Sequence, residues 1–137
     1  MQSIETVFKA QQARSLSLRN STAKTRRSKL RLLLKNFLEM ENEVLSALSS
    51  DLGKPKTEAL LAEIYGVKAE ASFAIKNVNS WMKTKRVASP LAISFSKSWV
   101  RPEPKGSVLI ISPWNYPIML CLNPLIAAIS SGNTAVI

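Results

Sequence analysis

Residues 107–122 read SVLIISPWNYPIMLCL. The first six are a short apolar run without alternation, the pattern of a strand buried on both faces. Two prolines, two aromatics and an amide then crowd into residues 112–117 before apolar character resumes in IMLCL. An apolar helix is expected from about 117 to 131, with Gly132 as its stop and TAVI, residues 134–137, as a second buried strand. Strand, helix and strand within about thirty residues make a βαβ unit, whose two strands must be parallel. Pro124 conflicts locally with that helix, because it removes a hydrogen bond and is expected to kink it.

Upstream, residues from about 3 to 83 read as helices. Ile4, Val7, Phe8 and Gln11 begin a short first one. Ser21 or Thr22 is placed to cap a second, whose stripe of Leu30, Leu33, Leu34 and Phe37 continues through Val44, Leu45 and Leu48 after a slip of phase near Glu41. Gly53 supplies a left-handed stop and Pro55 blocks continuation. Thr57 is expected to cap a long helix carrying Leu60, Ile64, Val67, Ala71, Ala74, Ile75 and Val78, closing near Trp81 and Met82. LAISFSKSWV, residues 91–100, alternates apolar and polar residues as a half-exposed strand does. RPEPKG is then a Pro-rich break, in which Gly106 can take a backbone conformation that other residues avoid. The organisation is therefore α/β: a helical segment over 1–83, an extended strand segment over 84–105 and a βαβ unit over 106–137.

The 137 residues have the length of one ordinary domain, and 46% hydrophobic against 20% charged content is that of a globular chain. No apolar run approaches the ~18 residues that span a bilayer. The opening MQSIETVFKA lacks a basic region followed by an apolar one, so no secretory signal is read there and a cytoplasmic location is expected. Histidine is absent and cysteine occurs once, at Cys121. Ser-His and Cys-His nucleophile pairs, Cys-only and His-containing zinc sites and an internal disulfide are thereby excluded within these residues, and no metal site is expected.

The formal charge is +10, and residues 19–35 carry seven basic side chains and no acidic one. On a helix, Lys24, Arg27, Arg31 and Lys35 line one edge beside the apolar stripe. No aromatic interleaves them for base stacking, so the run reads as a solvated helix face and no nucleic-acid partner is expected.

In open α/β sheets, ligands bind beyond the carboxyl ends of the strands, near helix N-termini. Residues 112–117, SPWNYP, occupy that place. By its position alone Asn115 suits either of two tasks: capping the helix that follows, or donating a hydrogen bond to a bound oxygen.

The residues also carry a family resemblance. DLGKPKTEA at 51–59, followed by RPEPKGSVLIISPWNYPIMLCLNPLIAAISSGNTAVI at 101–137, resembles the N-terminal portion of the aldehyde dehydrogenase superfamily, most closely its class 3, fatty-aldehyde-type branch. The resemblance runs from the first helix to the last residue. It implies an incomplete aldehyde dehydrogenase fold, in which 84–105 is the strand segment of the oligomerisation hairpin and 106–137 starts a Rossmann-like cofactor-binding sheet. It also implies NAD- or NADP-dependent oxidation of an aldehyde to a carboxylic acid through a cysteine thiohemiacetal and thioester. Asn115 matches the oxyanion-hole asparagine, a donor worth about 3 kcal/mol to the transition state. Ile111, Ser112, Pro113 and Trp114 match the segment that passes beside the cofactor; the family often has glycine where Ser112 stands. Tyr116 is placed either to line the aldehyde pocket or to pack. The sheet carries no GxGxxG, as suits a family that holds the pyrophosphate in its own way.

Cys121, on an apolar helix with no basic partner in its sequence surroundings, is expected to fill the core. The resemblance puts the nucleophile, the glutamate base and a Lys-Pro-Ser-Glu segment beyond Ile137. The chain is thus expected to be an N-terminal piece, inactive alone, of an enzyme that is a homodimer when complete. Two other classes stand beside it. One is a truncated paralogue that pairs with a full-length dehydrogenase through the strand near Trp99. The other is a basic helical module that binds nucleic acid.

Overall fold

The computed structural model describes residues 3–137. Helix α1, Ile4–Leu18, is capped by Ser3, whose Oγ accepts the Thr6 N–H at 3.1 Å. Helix α2, Ala23–Glu39, is capped in the same way by Thr22. The slip near Glu41 is a real break: α2 ends at Glu39, and α3, Glu41–Leu52, begins after Met40. Gly53 closes α3 at φ 61, with its N–H on the Ser49 carbonyl, the bond of an αL stop, and the Lys54 N–H adds a bond to the Leu48 carbonyl.

The long helix forms differently from expectation. It starts after Pro55, not at a Thr57 cap, as α4, Lys56–Glu58. It then passes through a π-helical stretch, Ala59–Ile64, into α5, Tyr65–Trp81. A π turn holds more residues than an α turn, so it shifts which side chains face inward. Ala59, Glu63 and Ile64 are buried there, whereas Leu60, expected in the core, is half-buried. Beyond the π stretch the expected spacing returns, with Val67, Ala71, Ala74 and Val78 buried.

The stretch 91–100 is not one strand. Leu91–Ile93 is a 3₁₀ turn, and only Ser98–Val100 is extended, as β2, paired antiparallel with β1, Lys85–Val87. The serines account for the difference. Ser96 Oγ donates to the Ile93 carbonyl at 2.8 Å and Ser89 Oγ to the Ser96 carbonyl at 2.8 Å, so side-chain hydroxyls bind backbone groups that a strand would use.

The second sheet has the expected topology. Strand β3, Ser107–Leu109, pairs in parallel with β4, Thr134–Val136, and the crossover between them is α6, Met119–Ser131. β3 is shorter and less covered than expected: Leu109 and Ile111 are exposed, and of its neighbours only Ile110 is buried. This sheet has two strands among the described residues, so each strand has an open edge and lacks the cover that flanking strands would give. The helix begins at Met119, not at 117, and Pro124 stands inside it on an exposed position. Cys121 is half-buried, not core, because the first turn of α6 lies at the edge of the packing.

The core lies where α5 packs against both α2 and α6, around Leu30, Val67, Ala71, Ala74 and Ile126, all at most 1% exposed. Of the basic run on α2, Lys24, Arg31 and Lys35 are exposed and Arg27 is half-buried. Arg26 is the exception that the helical pattern did not single out. It is 6% exposed and donates through Nη1 to the Ser130 carbonyl at 3.1 Å and through Nε to Ser21 Oγ at 3.0 Å. Burial lowers its pKa, yet a guanidinium remains charged at any physiological pH. The cation sits at the carboxyl end of α6, where helix dipoles favour it. Gly132 closes α6 at φ 84, and a Cβ there would run into that guanidinium.

Two predictions follow from these attachments. Gly132→Ala combines a left-handed backbone with a collision, and should destabilise the chain by more than about 2 kcal/mol in urea unfolding. The loop at 101–106 is tied to the end of α1 by Glu103, which accepts from Arg19 and, at 2.9 Å, from Arg101. The Arg19 hydrogen bond, then its charge, then Arg101 hold the Glu103 carboxyl below its ordinary 4.5. A lowered carboxylate pKa contributes stability above its unfolded value and loses it as pH falls through the folded one. The urea midpoint of the parent chain should therefore exceed that of Glu103→Gln at neutral pH, and the two should converge as pH falls below 4.5.

Candidate functional site

β3 runs into segment 110–117, which turns at the carboxyl end of the strand and feeds α6. The Ile110 N–H still bonds the Val136 carbonyl at 2.9 Å, which fixes the departure point from the sheet. Ile111 and Trp114 are each 83% exposed. Ser112 is half-buried, and its Oγ donates to the Pro117 carbonyl at 3.1 Å, closing the loop across its own prolines. Pro113 and Asn115 are exposed, and Tyr116 is half-buried.

Two charged side chains from other parts of the chain hold this loop. Lys54 follows the Gly53 stop and is 8% exposed; Glu63 comes from the π-helical stretch and is 0% exposed. Lys54 Nζ meets Glu63 Oε1 at 2.6 Å. The same ammonium donates to the Asn115 backbone carbonyl at 2.8 Å and lies 3.9 Å from the centroid of the Tyr116 ring. Glu63 Oε2 accepts the backbone N–H of Ile118 at 3.0 Å and of Met119 at 2.9 Å. These are among the free donors at the start of α6, so a carboxylate occupies the positive end of that helix. Tyr116 completes the frame by donating its hydroxyl to Glu58 Oε1 at 3.1 Å.

This arrangement bears on the two tasks open to Asn115. The cap of α6 is supplied by Glu63, since the residue at the helix start has no side-chain cap of its own. The Asn115 carboxamide is exposed and hydrogen-bonds no other group among the described residues, while its backbone carbonyl is clamped. Tyr116 is packed into the frame through both ring and hydroxyl.

The structure thus brings Ile111, Ser112, Pro113, Trp114, Asn115 and Tyr116 together in one loop, apart from Cys121, which lies within α6. Sequence reasoning missed Lys54 and Glu63. Lys54 stood inside the DLGKP motif, which marked a helix stop and a family resemblance but no site residue, and Glu63 was hidden by assuming an unbroken α-helical face. A cleft of about 420 Å³ lies at the opposite end of α6, lined by Arg19, Arg26, Glu70, Trp81, Arg101 and Glu103. It does not touch this loop. Among the described residues there is no cluster suited to a metal ion, and no helix is long and apolar enough to cross a membrane.

Comparison with known proteins gives a consistent picture. The model of the aldehyde dehydrogenase family matches residues 2–137. The chain is 42% identical over 130 residues to the 4,4'-diaponeurosporen-aldehyde dehydrogenase of Staphylococcus aureus, covering 95% of this chain and 27% of that protein. It is 40% identical over 119 residues to aldehyde dehydrogenase family 3 member B1 of Mus musculus, covering 87% of this chain and 25% of that one. A solved structure, the substrate-bound state of Staphylococcus aureus AldH, superposes with a TM-score of 0.91 at 40% identity, over 98% of this chain and 30% of that one. The chain therefore spans less than a third of the length of these relatives, matching the N-terminal part of the fold. It belongs to the aldehyde dehydrogenase family, and class 3 members are among its relatives.

Proposed function

We propose that this chain forms the part of an NAD(P)-dependent aldehyde dehydrogenase that supplies the oxyanion donor. The observation carrying this reading is the exposed carboxamide of Asn115 on a backbone clamped by buried groups, at the carboxyl end of a parallel strand. When a thiolate adds to an aldehyde carbon, a C–S bond forms and the carbonyl π pair moves onto oxygen. An amide N–H aimed at that oxygen stabilises the charge without itself ionising. Hydride loss from the carbon then restores the carbonyl as a thioester, and water releases the acid. Cys121, half-buried in α6, is assigned to packing and not to the thiolate.

The dinucleotide, when bound, accepts that hydride. Exposed Ile111 and Trp114, with Pro113 between them, offer apolar surface at the carboxyl edge of β3, which fits a flat ring system lying against segment 111–114. Ser112 has its hydroxyl engaged with the Pro117 carbonyl, so it contributes shape to that surface more than a free donor. Tyr116 borders the aldehyde side with its ring held in place by Lys54. The same reading takes 1–83, 84–105 and 106–137 as helical segment, oligomerisation strand segment and start of the cofactor domain. It also includes a cytoplasmic, homodimeric complete enzyme.

Joining these 137 residues to the remainder of the Staphylococcus aureus relative gives a chimera in which the chemistry is measurable. Asn115→Ala should slow hydride transfer by about a hundredfold, with aldehyde and dinucleotide binding changed much less. A variant that keeps most of its rate, with chemistry rate-limiting, would return Asn115 to a structural role. The 137-residue chain alone, incubated with NAD or NADP and a series of aldehydes, should give no sustained reduced cofactor, and Cys121→Ser should change nothing. Turnover abolished by that substitution would overturn the assignment of Cys121.

A further inference from the structure

We propose that Lys54 and Glu63 are positioning residues for aldehyde oxidation, holding the main chain at Asn115 and just after it so that its carboxamide meets the developing oxyanion. This rests on the role given to Asn115 above. A buried ion pair is not needed to fill space, since apolar residues of similar volume pack as well or better without desolvating two charges. The bonds this pair makes show where the charges act. Lys54 donates to the carbonyl of Asn115 itself and covers the ring of Tyr116. Glu63 takes the N–H groups of Ile118 and Met119. Every one of these contacts falls within the five residues that follow Trp114, and none involves the Asn115 side chain.

Both members are themselves held. Lys54 is the residue whose N–H completes the stop of α3, at 3.3 Å from the Leu48 carbonyl. Glu63 faces inward because the π stretch Ala59–Ile64 turns it there, and π turns inside helices recur at functional sites. Two rigid helix-bound groups thus meet at one loop. A misplacement of the donor by about 1 Å costs on the order of a hundredfold in rate, so a device of this kind has something to protect.

The test is a double-substitution cycle in the chimera with the Staphylococcus aureus relative. Lys54→Met should slow hydride transfer by about tenfold or more, with the aldehyde KM nearly unchanged. In the Asn115→Ala background the same substitution should have no further effect. Lys54→Arg, which keeps the charge, should recover part of the rate. Equal effects of Lys54→Met with and without Asn115 would overturn the proposal, as would a change confined to KM. If Asn115→Ala itself leaves the rate intact, the oxyanion reading falls and this proposal falls with it. That result is distinct from a large Asn115→Ala effect accompanied by an additive or absent Lys54→Met effect, which sinks the positioning role alone.

Hydrogen exchange in the 137-residue chain gives an independent reading, decisive also where the chimeric variants do not fold. Glu63→Gln should speed exchange at the Ile118 and Met119 amides while the amides of Ala71 and Ala74 in α5 keep their protection. Acceleration across the whole chain, or none at residues 118 and 119, would show that the pair serves only the general fold and would overturn the proposal.

Discussion

A lysine and a glutamate, both almost wholly out of water, face each other at 2.6 Å between the end of one helix and the middle of another. Removing two such charges from solvent costs several kcal/mol for each, and mutual attraction alone often fails to offset it. The arrangement survives because nearly every remaining valence is used. The carboxylate accepts three hydrogen bonds, one from the ammonium and two from backbone N–H groups. The ammonium donates two and lies over an aromatic face. Loss of either partner would leave a buried charge uncompensated, at about 3–5 kcal/mol. The pair is thus a constraint on three separate elements: the stop of α3, the π stretch and the loop into α6.

The rest of the molecule brings those three elements to one place. α5 lies between α2 and α6, and its buried face of Val67, Ala71, Ala74 and Val78 is small enough for close helix approach. At the far end of α6, Arg26 and Gly132 do the complementary task. A buried guanidinium meets the Ser130 carbonyl there, and only a residue without a side chain fits beside it. Glu63 at the amino end and Arg26 at the carboxyl end therefore match the helix dipole with opposite charges. α6 is held at both ends, and the strands it joins are fixed in parallel register from Ser107↔Thr134 to Leu109↔Val136.

Much of this was legible from residue order. The apolar run, the proline-framed loop, the apolar helix, Gly132 and the closing strand implied a parallel βαβ unit, and β3 pairs with β4 in that sense. A cap at Ser21 or Thr22, a slip of phase near Glu41 and the stop at Gly53 were also legible, because caps and stops are local chemistry, and the structure places the cap on Thr22 and a break at the slip. What failed was non-local or competitive. The alternation over 91–100 was real, but serine hydroxyls took the backbone groups into turns, leaving only Ser98–Val100 extended. The π stretch inserts its extra residue without any sequence mark that helical periodicity can register, so Leu60 was expected where Ala59 and Glu63 are buried. Arg26 looked like one more member of a wet basic face, and its partner, the Ser130 carbonyl, lies 104 residues away.

The same distinction explains why the loop was recognised while its supports were not. The residues of the loop, Asn115 and its neighbours, are contiguous, and prolines advertise them. The residues that aim the loop are scattered, and an ion pair 9 residues apart in sequence looks like any other lysine and glutamate until the backbone turns both inward. Burial alone would not have separated them from structural charges, since Arg26 is as deeply enclosed as Lys54. The separation comes from the atoms engaged. Arg26 binds the end of a helix that it packs against, whereas Lys54 and Glu63 bind main-chain groups at and just after the residue that carries an exposed carboxamide. Rigidity is thus delivered to the backbone of the loop, while the side chain of Asn115 stays exposed.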